Sequence, residues 1–215
     1  MLKLGAIGPF FNNMNALPKE FLHLAKLYKE HGFSLYLIGG TSRDYLLNLP
    51  CADLDFVTDA IPEEEKAFLP DANYRFACFG SIKVNSLGVS CDVTTLRKEW
   101  GYEDHRHPVH VEFIKDLRED SLRRDFTINA IYIDENGTIF DFHGGQKDLV
   151  DKTIRFIGDP YIRIREDPLR ILRAERFAAR LGFHLESETA KAMEELRDEL
   201  SKLNPEKVLM EKKKA

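Results

Sequence analysis

Residues 35–55 have the sequence LYLIGGTSRDYLLNLPCADLD, and this stretch decides the fold. Its apolar start, Leu35–Ile38, predicts a buried strand. Gly39 and Gly40 follow, and glycine lets the backbone approach a ligand closely because it tolerates positive φ and has no Cβ. Asp53 and Asp55 come next at i and i+2, a spacing that on a strand points both carboxylates to one side. A phosphate-sized turn beside paired acids predicts a magnesium-dependent reaction on a nucleotide.

The residues on both sides of this stretch predict a mixed α/β segment. Apolar residues at helical spacing predict a helix over residues 17–31 that ends at His31 and Gly32, and a second helix over Thr41–Leu47. The predicted strands are Ser34–Ile38, Asp53–Val57, Asn73–Cys78, Ser81–Asn85, Val89–Leu96, Val109–Ile114, Tyr132–Asp134 and Thr138–Asp141, with a polar loop at Trp100–Pro108. The last two strands flank Asn136 and Gly137 and form the clearest hairpin signal in the chain.

After about residue 150 the pattern becomes helical. Apolar spacing predicts one helix over Ile162–Leu181, which ends at Gly182, and a second helix over Ser187–Leu203. Asn204 and Pro205 end the second helix, and residues 206–214 begin a third. An α/β segment is therefore expected to precede an all-α segment.

The composition is that of a folded globular chain, with 215 residues of which 43% are hydrophobic and 31% charged. The net charge of −5 argues against wholesale coating of nucleic acid, but the charge is uneven. Residues 1–150 carry 16 Lys and Arg against 23 Asp and Glu, a balance of −7, whereas residues 151–215 carry 15 against 13, a balance of +2. Three widely spaced cysteines, no apolar run of membrane-spanning length and no visible signal peptide together predict a cytoplasmic protein.

Asp53, Asp55 and Asp92 are the candidate catalytic acids. Nucleotidyl transfer needs charge neutralisation at the entering and leaving oxygens, which two divalent ions about 3.5–4 Å apart supply when acidic ligands bridge them. Asp53 and Asp55 meet that need and predict a Mg²⁺ site, with Leu54 and Phe56 turned to the core. Asp92, on a strand that would lie alongside, would complete the metal shell or orient the attacking hydroxyl. The alternatives are a solvated edge strand for the pair and a surface or structural role for Asp92.

Two further charged segments suggest phosphate and ribose contacts. Arg43 follows the glycine pair and is predicted to contact phosphate, because a guanidinium matches phosphate oxygens with two parallel hydrogen bonds. The neighbouring Asp44 is expected to cap or pair rather than to catalyse. The cluster Arg123–Thr127 would hold ribose hydroxyls and phosphate by the same donor–acceptor logic, or would simply form a charged turn.

Seven arginines and no lysine occur between residues 153 and 190. Arg170, Arg173 and Arg176 step by three along one predicted helix, with Asp167 one such step before them. One interpretation is a solvated helix on which Arg170 pairs with Glu166 and Asp167, at little gain in stability. The other is nucleobase recognition, since aspartate only accepts hydrogen bonds and arginine only donates them. Such a pair accepts C and A, which present an amino donor beside a ring acceptor, and rejects U and G.

Two other site types are not favoured. His105, His107 and His110 flank Pro108 in a polar loop without cysteine partners, which is a poor match to a zinc site. The sequence contains no Walker-type Gly-Lys-Ser/Thr loop, which disfavours an ordinary P-loop ATPase.

Five ordered blocks of sequence carry a family resemblance. They are residues 37–47 (LIGGTSRDYLL), 53–55 (DLD), 95–97 (TLR), 123–130 (RRDFTINA) and 165–174 (REDPLRILRA). In these blocks the chain resembles the family of class II tRNA nucleotidyltransferases (CCA-adding enzymes) and bacterial poly(A) polymerases. The resemblance implies an α/β head over residues 1–153 with the nucleotidyltransferase fold, a mixed, largely antiparallel sheet flanked by helices. It implies an all-α neck over residues 154–215 that selects the nucleotide.

The resemblance also implies roles for the matched residues. Asp53 and Asp55 would bind magnesium, while Asp92 stands where many members of the family have glutamate. The residues implied in nucleotide binding are Gly39, Gly40 and Arg43 at the phosphates, Arg124 and Asp125 at the ribose, Asp167 and Arg170 at the base, and Arg173 and Arg176 in support of the base pocket.

The implied reaction is template-independent addition of CMP and AMP, from CTP and ATP, to the 3′ end of tRNA by two-metal-ion catalysis. The loop Arg97–Pro108, with Glu99, Tyr102, Asp104 and Arg106, is similar to the flexible loop with which the family passes from C to A addition. The alternatives are a poly(A) polymerase, a partial CC- or A-adding enzyme, and a catalytically weak nucleotide- or RNA-binding fragment. The chain stops near the next neck motif of the family, so a missing C-terminal body and tail, or a partner chain, would hold the tRNA.

Overall fold

The structure, a computed structural model, describes residues 16–51, 53–101 and 110–213. The strands are β1 (Leu35–Leu37), β2 (Asp55–Thr58), β3 (Asn73–Phe76), β4 (Ser81–Ser86), β5 (Val89–Thr95), β6 (Arg97–Trp100), β7 (His110–Phe113), β8 (Ile131–Ile133), β9 (Ile139–Asp141), β10 (Thr153–Ile154) and β11 (His184–Leu185). The helices are α1 (Lys19–Glu30), α2 (Gly39–Leu46), α3 (Pro62–Glu65), α4 (Leu117–Leu122), α5 (Gly145–Val150), α6 (Pro160–Glu166), α7 (Leu169–Leu181), α8 (Ser187–Glu195) and α9 (Pro205–Lys212). Short 3₁₀-helices cover Ala77–Phe79, Thr127–Asn129 and Arg197–Lys202.

Among the described residues, seven strands form one mixed sheet in the order β3-β4-β5-β2-β1-β8-β9. β2 and β5 run parallel, and the other neighbouring pairs are antiparallel. The predicted α/β fold with a largely antiparallel sheet is confirmed. Side-chain alternation sets the faces of the strands: in β4, Ile82 and Val84 are buried while Lys83 and Asn85 are exposed.

Apolar side chains fill the space between the sheet and the helices that pack on it. α1 contacts β1 and β4, and its buried residues Phe21, Leu24 and Tyr28 recur at helical spacing. A separate buried cluster contains Ile38, Val57, Leu96 and Tyr132, with partly buried aromatic and aliphatic side chains packed around it. The helix predicted over residues 17–31 and the hairpin of β8 and β9 are both present.

The single helix predicted over Ile162–Leu181 is wrong. The structure has α6 and α7 in its place, and α7 ends at Gly182 as expected. Between the two helices Asp167 has extended backbone, with φ −148° and ψ 95°. Pro168 causes the break, because its ring disfavours helical backbone at the residue before it. Asp167 therefore lies outside the helix that carries the arginines.

The strand predicted over Asp53–Val57 begins only at Asp55, and Asp53 lies in a bend before it. The physical reason is a side-chain hydrogen bond: the backbone N–H of Asp55 donates to Oγ1 of Thr41, at 2.7 Å. The argument from strand alternation therefore does not apply to Asp53. Leu54 and Phe56 are nevertheless buried, as expected.

Two more boundaries differ from the prediction. Trp100, expected at the start of a polar loop, ends β6, which pairs with β7 in a two-stranded sheet. The helix predicted over Ser187–Leu203 is α8 followed by the 3₁₀-helix Arg197–Lys202, because Leu196 leaves helical backbone at φ −105° and ψ 15°.

The chain folds into two compact units that interleave along the sequence. The first unit contains the described residues up to Lys98, then Val111–Arg123 and Asn129–Phe142, and it holds the seven-stranded sheet. The second unit contains Arg124–Ile128 and the described residues from His143 onward, together with residues 99–101 and 110. The predicted boundary between residues 153 and 154, and the functions of the segments on its two sides, stay predictions. In the part of the chain that the structure describes, no helix has both the length and the apolar character needed to cross a membrane.

Candidate active site

Asp55, Asp92 and Lys83 lie side by side across three adjacent strands of the first unit. In the parallel pair of β2 and β5, Asp55 stands opposite Asp92. In the antiparallel pair of β4 and β5, Lys83 stands opposite Asp92. Directly opposed residues of neighbouring strands project from the same face of a sheet. The sheet therefore presents two carboxylates and one ammonium in a row, and the expected proximity of Asp92 to Asp55 is confirmed.

Thr41 ties the acidic segment to α2. Its hydroxyl donates to the carbonyl oxygen of Asp53, at 2.9 Å, and accepts from the backbone N–H of Asp55, at 2.7 Å. One side chain thereby fixes the backbone on both sides of Leu54. Leu54 and Phe56 are buried, whereas Asp55 is half-buried and Asp53, in the bend before β2, is exposed.

The glycine pair forms the first turn of α2 rather than a turn before it. Gly39 has φ +66°, and a Cβ added there would lie 3.6 Å from Oδ2 of Asp55. The missing side chain thus leaves open the space above that carboxylate. A helix N-terminus presents unpaired backbone N–H groups and partial positive charge, which is the arrangement that binds phosphate.

Arg43 is buried, with 2% of its surface exposed. Its Nε donates to Oδ1 of Asp44 at 2.8 Å, and its NH1 donates to Oδ1 of Asn129 at 2.9 Å. Asp44 therefore forms an ion pair with Arg43, as expected. A Cβ added to Gly40 would lie 3.6 Å from NH2 of Arg43, so the guanidinium sits directly beneath the glycine pair.

Lys83 makes an ion pair with Asp92, with its Nζ 2.7 Å from Oδ1 and 2.9 Å from Oδ2. The pKa of Lys83 is raised above its ordinary value, first by this hydrogen bond and further by the negative charges of Asp92, Asp55 and Asp53. All three aspartates therefore act electrostatically on one ammonium. Among the described residues, no three metal-ligating side chains already converge on one point.

In the second unit, Arg173 joins two of the sequence blocks. Its NH1 lies 3.5 Å from Oδ2 of Asp125, and its NH2 donates to Oδ2 of Asp167. Asp167 also accepts from the backbone N–H of Leu169, at 3.1 Å. The Asp167–Arg170 side-chain pair expected for a solvated helix is corrected by this geometry, since Asp167 stands outside α7 and pairs with Arg173 instead.

Arg170 is 5% exposed and is held by its own unit. Its NH1 donates to Oε2 of Glu166 at 2.9 Å and to the carbonyl oxygen of Arg163 at 2.7 Å. The expected Glu166–Arg170 pair is confirmed. The Nε of Arg170 is buried and has no hydrogen-bond partner among the described residues. A buried donor without an acceptor costs about 1–3 kcal/mol.

Arg176 also has a buried Nε without a partner in the described ranges. Its NH2 donates to Oε1 of Glu211 at 3.1 Å, and its guanidinium carbon lies 4.6 Å from the ring centroid of Phe177. α7 therefore presents two arginines whose donors are incompletely used.

The structure brings the predicted residues together as two groups, one in each unit. Asp55, Asp92, Gly39, Gly40 and Arg43 gather around β2 and α2, with Asp53 in the adjoining bend. Asp125, Asp167, Arg170 and Arg173 gather around the start of α7, and Arg176 lies about two turns further along it. The carbonyl oxygen of Arg124 accepts from NH2 of Arg163 at 2.8 Å. Tyr102, Asp104, Arg106, His105 and His107 lie outside the described residues, and the ring of His110 stacks on Trp100 at 5.4 Å.

Sequence reasoning missed Lys83, Thr41 and Asn129. Lys83 had a signal: a two-residue turn at Leu87 and Gly88 places it opposite Asp92, because 83 and 92 are equally far from that turn. Thr41 bonds to Asp55, 14 positions along the chain, and Asn129 bonds to Arg43, 86 positions away. No local sequence pattern predicts hydrogen bonds over such separations.

A mixed sheet whose parallel strands carry aspartates beside a glycine-initiated helix is the architecture of a nucleotidyltransferase head. The family model described as the poly A polymerase head domain matches residues 35–155, and the chain belongs to this family.

Curated and solved relatives are similar over most of this chain. The CCA-adding enzyme of Anoxybacillus flavithermus is 43% identical over 180 residues, covering 84% of this chain and 45% of that protein. The Bacillus stearothermophilus CCA-adding enzyme, solved in complex with CTP, is 36% identical with a TM-score of 0.82, over 95% of this chain and 48% of that one. A tRNA nucleotidyltransferase solved with a primer tRNA and an incoming ATP analogue is 34% identical with a TM-score of 0.73, over 88% of this chain and 55% of that one. The chain thus spans about half the length of the curated relatives it matches.

Proposed function

We propose that this chain catalyses template-independent transfer of CMP and AMP, from CTP and ATP, to the 3′ end of tRNA. The attacking group is the terminal 3′-hydroxyl of the tRNA, the new bond forms to the α-phosphate, and pyrophosphate leaves. The observation that carries the proposal is the apposition of Gly39 and Asp55, which sets a helix N-terminus against a carboxylate with no side chain between them. The similarity of the chain to enzymes solved with CTP and with a primer tRNA supports this choice of substrates.

The acids of the first unit fit magnesium. Mg²⁺ usually binds one or two protein carboxylates together with substrate phosphates and water, and Asp53 and Asp55 offer such a pair. The ion pair of Lys83 with Asp92, in register with Asp55, supports the view that this place favours a cation. When bound, two such ions would neutralise the phosphate oxygens and lower the pKa of the attacking hydroxyl.

In the first unit, the backbone N–H groups of Gly39 and Gly40 bind the triphosphate at the start of α2. Arg43 adds positive charge from beneath them, and Asp44 and Asn129 hold it in place. Asp92, one strand away from Asp55, completes the set of catalytic acids. The proposed role of each of these groups is to hold or orient phosphate and hydroxyl groups.

In the second unit, Asp167 and Arg170 select the base. A carboxylate that only accepts hydrogen bonds and a guanidinium that only donates them together match the edges of C and A. Asp167 and Arg170 flank Pro168 at the start of α7, which supports placing both at one end of the proposed base pocket. Arg173 positions Asp167, and Arg176 supports the pocket that receives the base. Arg124 and Asp125 contact the ribose.

The test is incubation with tRNA that lacks its terminal nucleotides and with each of the four triphosphates separately. The proposal expects CTP to be incorporated first, ATP to be added after C, and UTP and GTP to be refused. The 215-residue chain is used alone and then with a C-terminal body and tail from a relative supplied in trans, since tRNA contacts are expected there. A role on tRNA fits the cytoplasmic location expected from the sequence.

Other outcomes would identify the alternatives. Repeated addition of ATP without use of CTP would indicate a poly(A) polymerase. Addition of only C or only A would indicate a partial enzyme. Binding of ATP without release of pyrophosphate under either condition would contradict the proposal and favour a nucleotide-binding fragment.

A further inference from the structure

Lys83 is the one basic side chain that the fold sets in register with the candidate catalytic acids on β2 and β5, within the described residues. Its ammonium lies 2.7 Å and 2.9 Å from the two carboxylate oxygens of Asp92. Asp55 and Asp53 act on the same ammonium through their charge. The ammonium of Lys83 therefore lies beside the carboxylates that the proposed function assigns to a divalent cation.

The position of Lys83 is enforced by the hairpin that carries it. Leu87 and Gly88 have φ values of 51° and 86°, which form a two-residue turn of the kind that fixes hairpin register. Ile82 and Val84, on either side of Lys83, are buried. A slip of one residue would bury the ammonium and expose both apolar side chains, so Lys83 stays opposite Asp92.

An ordinary surface ion pair is the simplest alternative. The side chains of Lys83 and Asp92 are 52% and 46% exposed, and such pairs contribute little to stability. That reading leaves unexplained why the fold sets this ammonium in register with two candidate cation ligands, Asp92 and Asp55. A positive charge beside the acids of a cation site affects the cation, whatever it does for stability.

We propose that Lys83 is a positioning residue that competes with divalent cations for Asp53, Asp55 and Asp92. Without the cation, Lys83 holds the carboxylate of Asp92 and offsets part of the repulsion among the three acids. When the cation binds, it displaces the ammonium, so Lys83 sets the cation concentration that the enzyme needs. This inference rests on the proposed function, because it takes the aspartates to be cation ligands.

The experiment measures Mn²⁺ binding to the 215-residue chain by electron paramagnetic resonance, without nucleotide or tRNA. Lys83→Met removes the charge and keeps the length of the side chain. A unit charge about 5 Å from a divalent ion changes its affinity by about tenfold in water, so Lys83→Met is expected to bind Mn²⁺ about tenfold more tightly. The gain should shrink as salt is raised from about 0.01 M to 1 M, because salt screens exposed charges.

Two controls separate charge from structure. Lys83→Arg keeps the charge and is expected to bind Mn²⁺ with nearly the affinity of the unmodified chain. Lys29→Met removes another exposed lysine of the same unit, which pairs with Glu135 at 2.8 Å, and is expected to leave Mn²⁺ affinity unchanged.

The outcomes distinguish this inference from the proposed function. Equal or weaker Mn²⁺ binding by Lys83→Met would overturn the role of Lys83 and leave the proposed reaction standing. Equal Mn²⁺ binding by the unmodified chain, by Asp53→Ala and by Asp55→Ala would show that the aspartates do not hold the cation, and both proposals would then fall.

Discussion

Gly39 lies directly over the carboxylate of Asp55, at a distance where an added Cβ would come within 3.6 Å of Oδ2. The backbone of Gly39 has φ +66°, which L side chains rarely adopt. Gly39 lies in the first turn of α2, where backbone N–H groups have no partner within the helix. The position thus combines an open approach to a carboxylate with the backbone donors of a helix N-terminus.

Gly39→Ala is expected to lower kcat/KM for CTP by more than about tenfold, because its methyl group fills the approach to Asp55. The strained φ should also cost about 1–2 kcal/mol of stability. Gly137→Ala is the matched control: φ is +78° there, and nothing lies within 4 Å of an added Cβ. Both variants should lose similar stability in urea unfolding, while only Gly39→Ala loses activity. Equal activity of the two would contradict a role for the Gly39 site.

Asp53→Ala is expected to lower the rate of nucleotide incorporation by about a thousandfold or more, because one of the two proposed cation ligands is lost. Asp53 is exposed, so its removal should change the free energy of unfolding by no more than about 0.5 kcal/mol. Nucleotide incorporation and thermal unfolding are measured side by side, with the exposed Asp71→Ala as control. Normal incorporation by Asp53→Ala would refute the assignment.

Arg170→Ala is expected to reduce discrimination between CTP and UTP by about tenfold or more, since a base-specific donor is lost. The measurement is the ratio of kcat/KM for the two triphosphates. Arg197→Ala removes another arginine of the second unit, which pairs with Glu175 at 2.6 Å, and should leave that ratio unchanged. If Arg170→Ala lowers activity with all four triphosphates equally, the residue is structural and not selective.

Glu65 makes the first unit sensitive to pH. Its side chain is fully buried, and Oε1 accepts from the hydroxyl of Tyr28 at 2.5 Å. Burial raises the pKa of Glu65 from 4.5 to about 7. The folded state therefore binds more protons than the unfolded state between these values, and stability falls as pH rises from about 4.5 to 7.

Glu65→Gln should remove this dependence. The amide oxygen still accepts from Tyr28, and no charge is buried at high pH. Relative to the unmodified chain, the variant is expected to gain up to about 3 kcal/mol at pH 8 and nothing near pH 4.5, because each pKa unit corresponds to about 1.4 kcal/mol. Urea unfolding at several pH values, with the exposed Glu63→Gln as control, checks this. A pH-independent difference would show that Glu65 does not titrate in that range.

Local patterns predicted most of the first unit. Alternation and a two-residue turn were sufficient for β4 and β5, and the turn residues Asn136 and Gly137 were sufficient for the hairpin of β8 and β9. Apolar spacing was sufficient for α1. The placement of Asp55 beside Asp92 was also expected, since both lie on strands of one sheet.

Local patterns failed where a single residue overrides the spacing around it. Pro168 breaks the helix in which Asp167 would have paired with Arg170, although apolar residues continue at helical spacing across it. Thr41 binds the backbone of Asp55 and shortens β2 at its start. α5 and the paired strands β10 and β11 were missed because they are only two to six residues long. The short β2 and the pair of β10 and β11 depend on contacts distant in sequence, whereas the break at Pro168 is a local effect that the apolar spacing concealed.

The most direct test of the central claim is diffraction from crystals grown with Mn²⁺ and a non-hydrolysable CTP analogue. We expect an anomalous Mn²⁺ peak bound by the carboxylates of Asp53 and Asp55, with the triphosphate against the N–H groups of Gly39 and Gly40. An Mn²⁺ peak away from these aspartates, or a triphosphate away from the start of α2, would contradict the account.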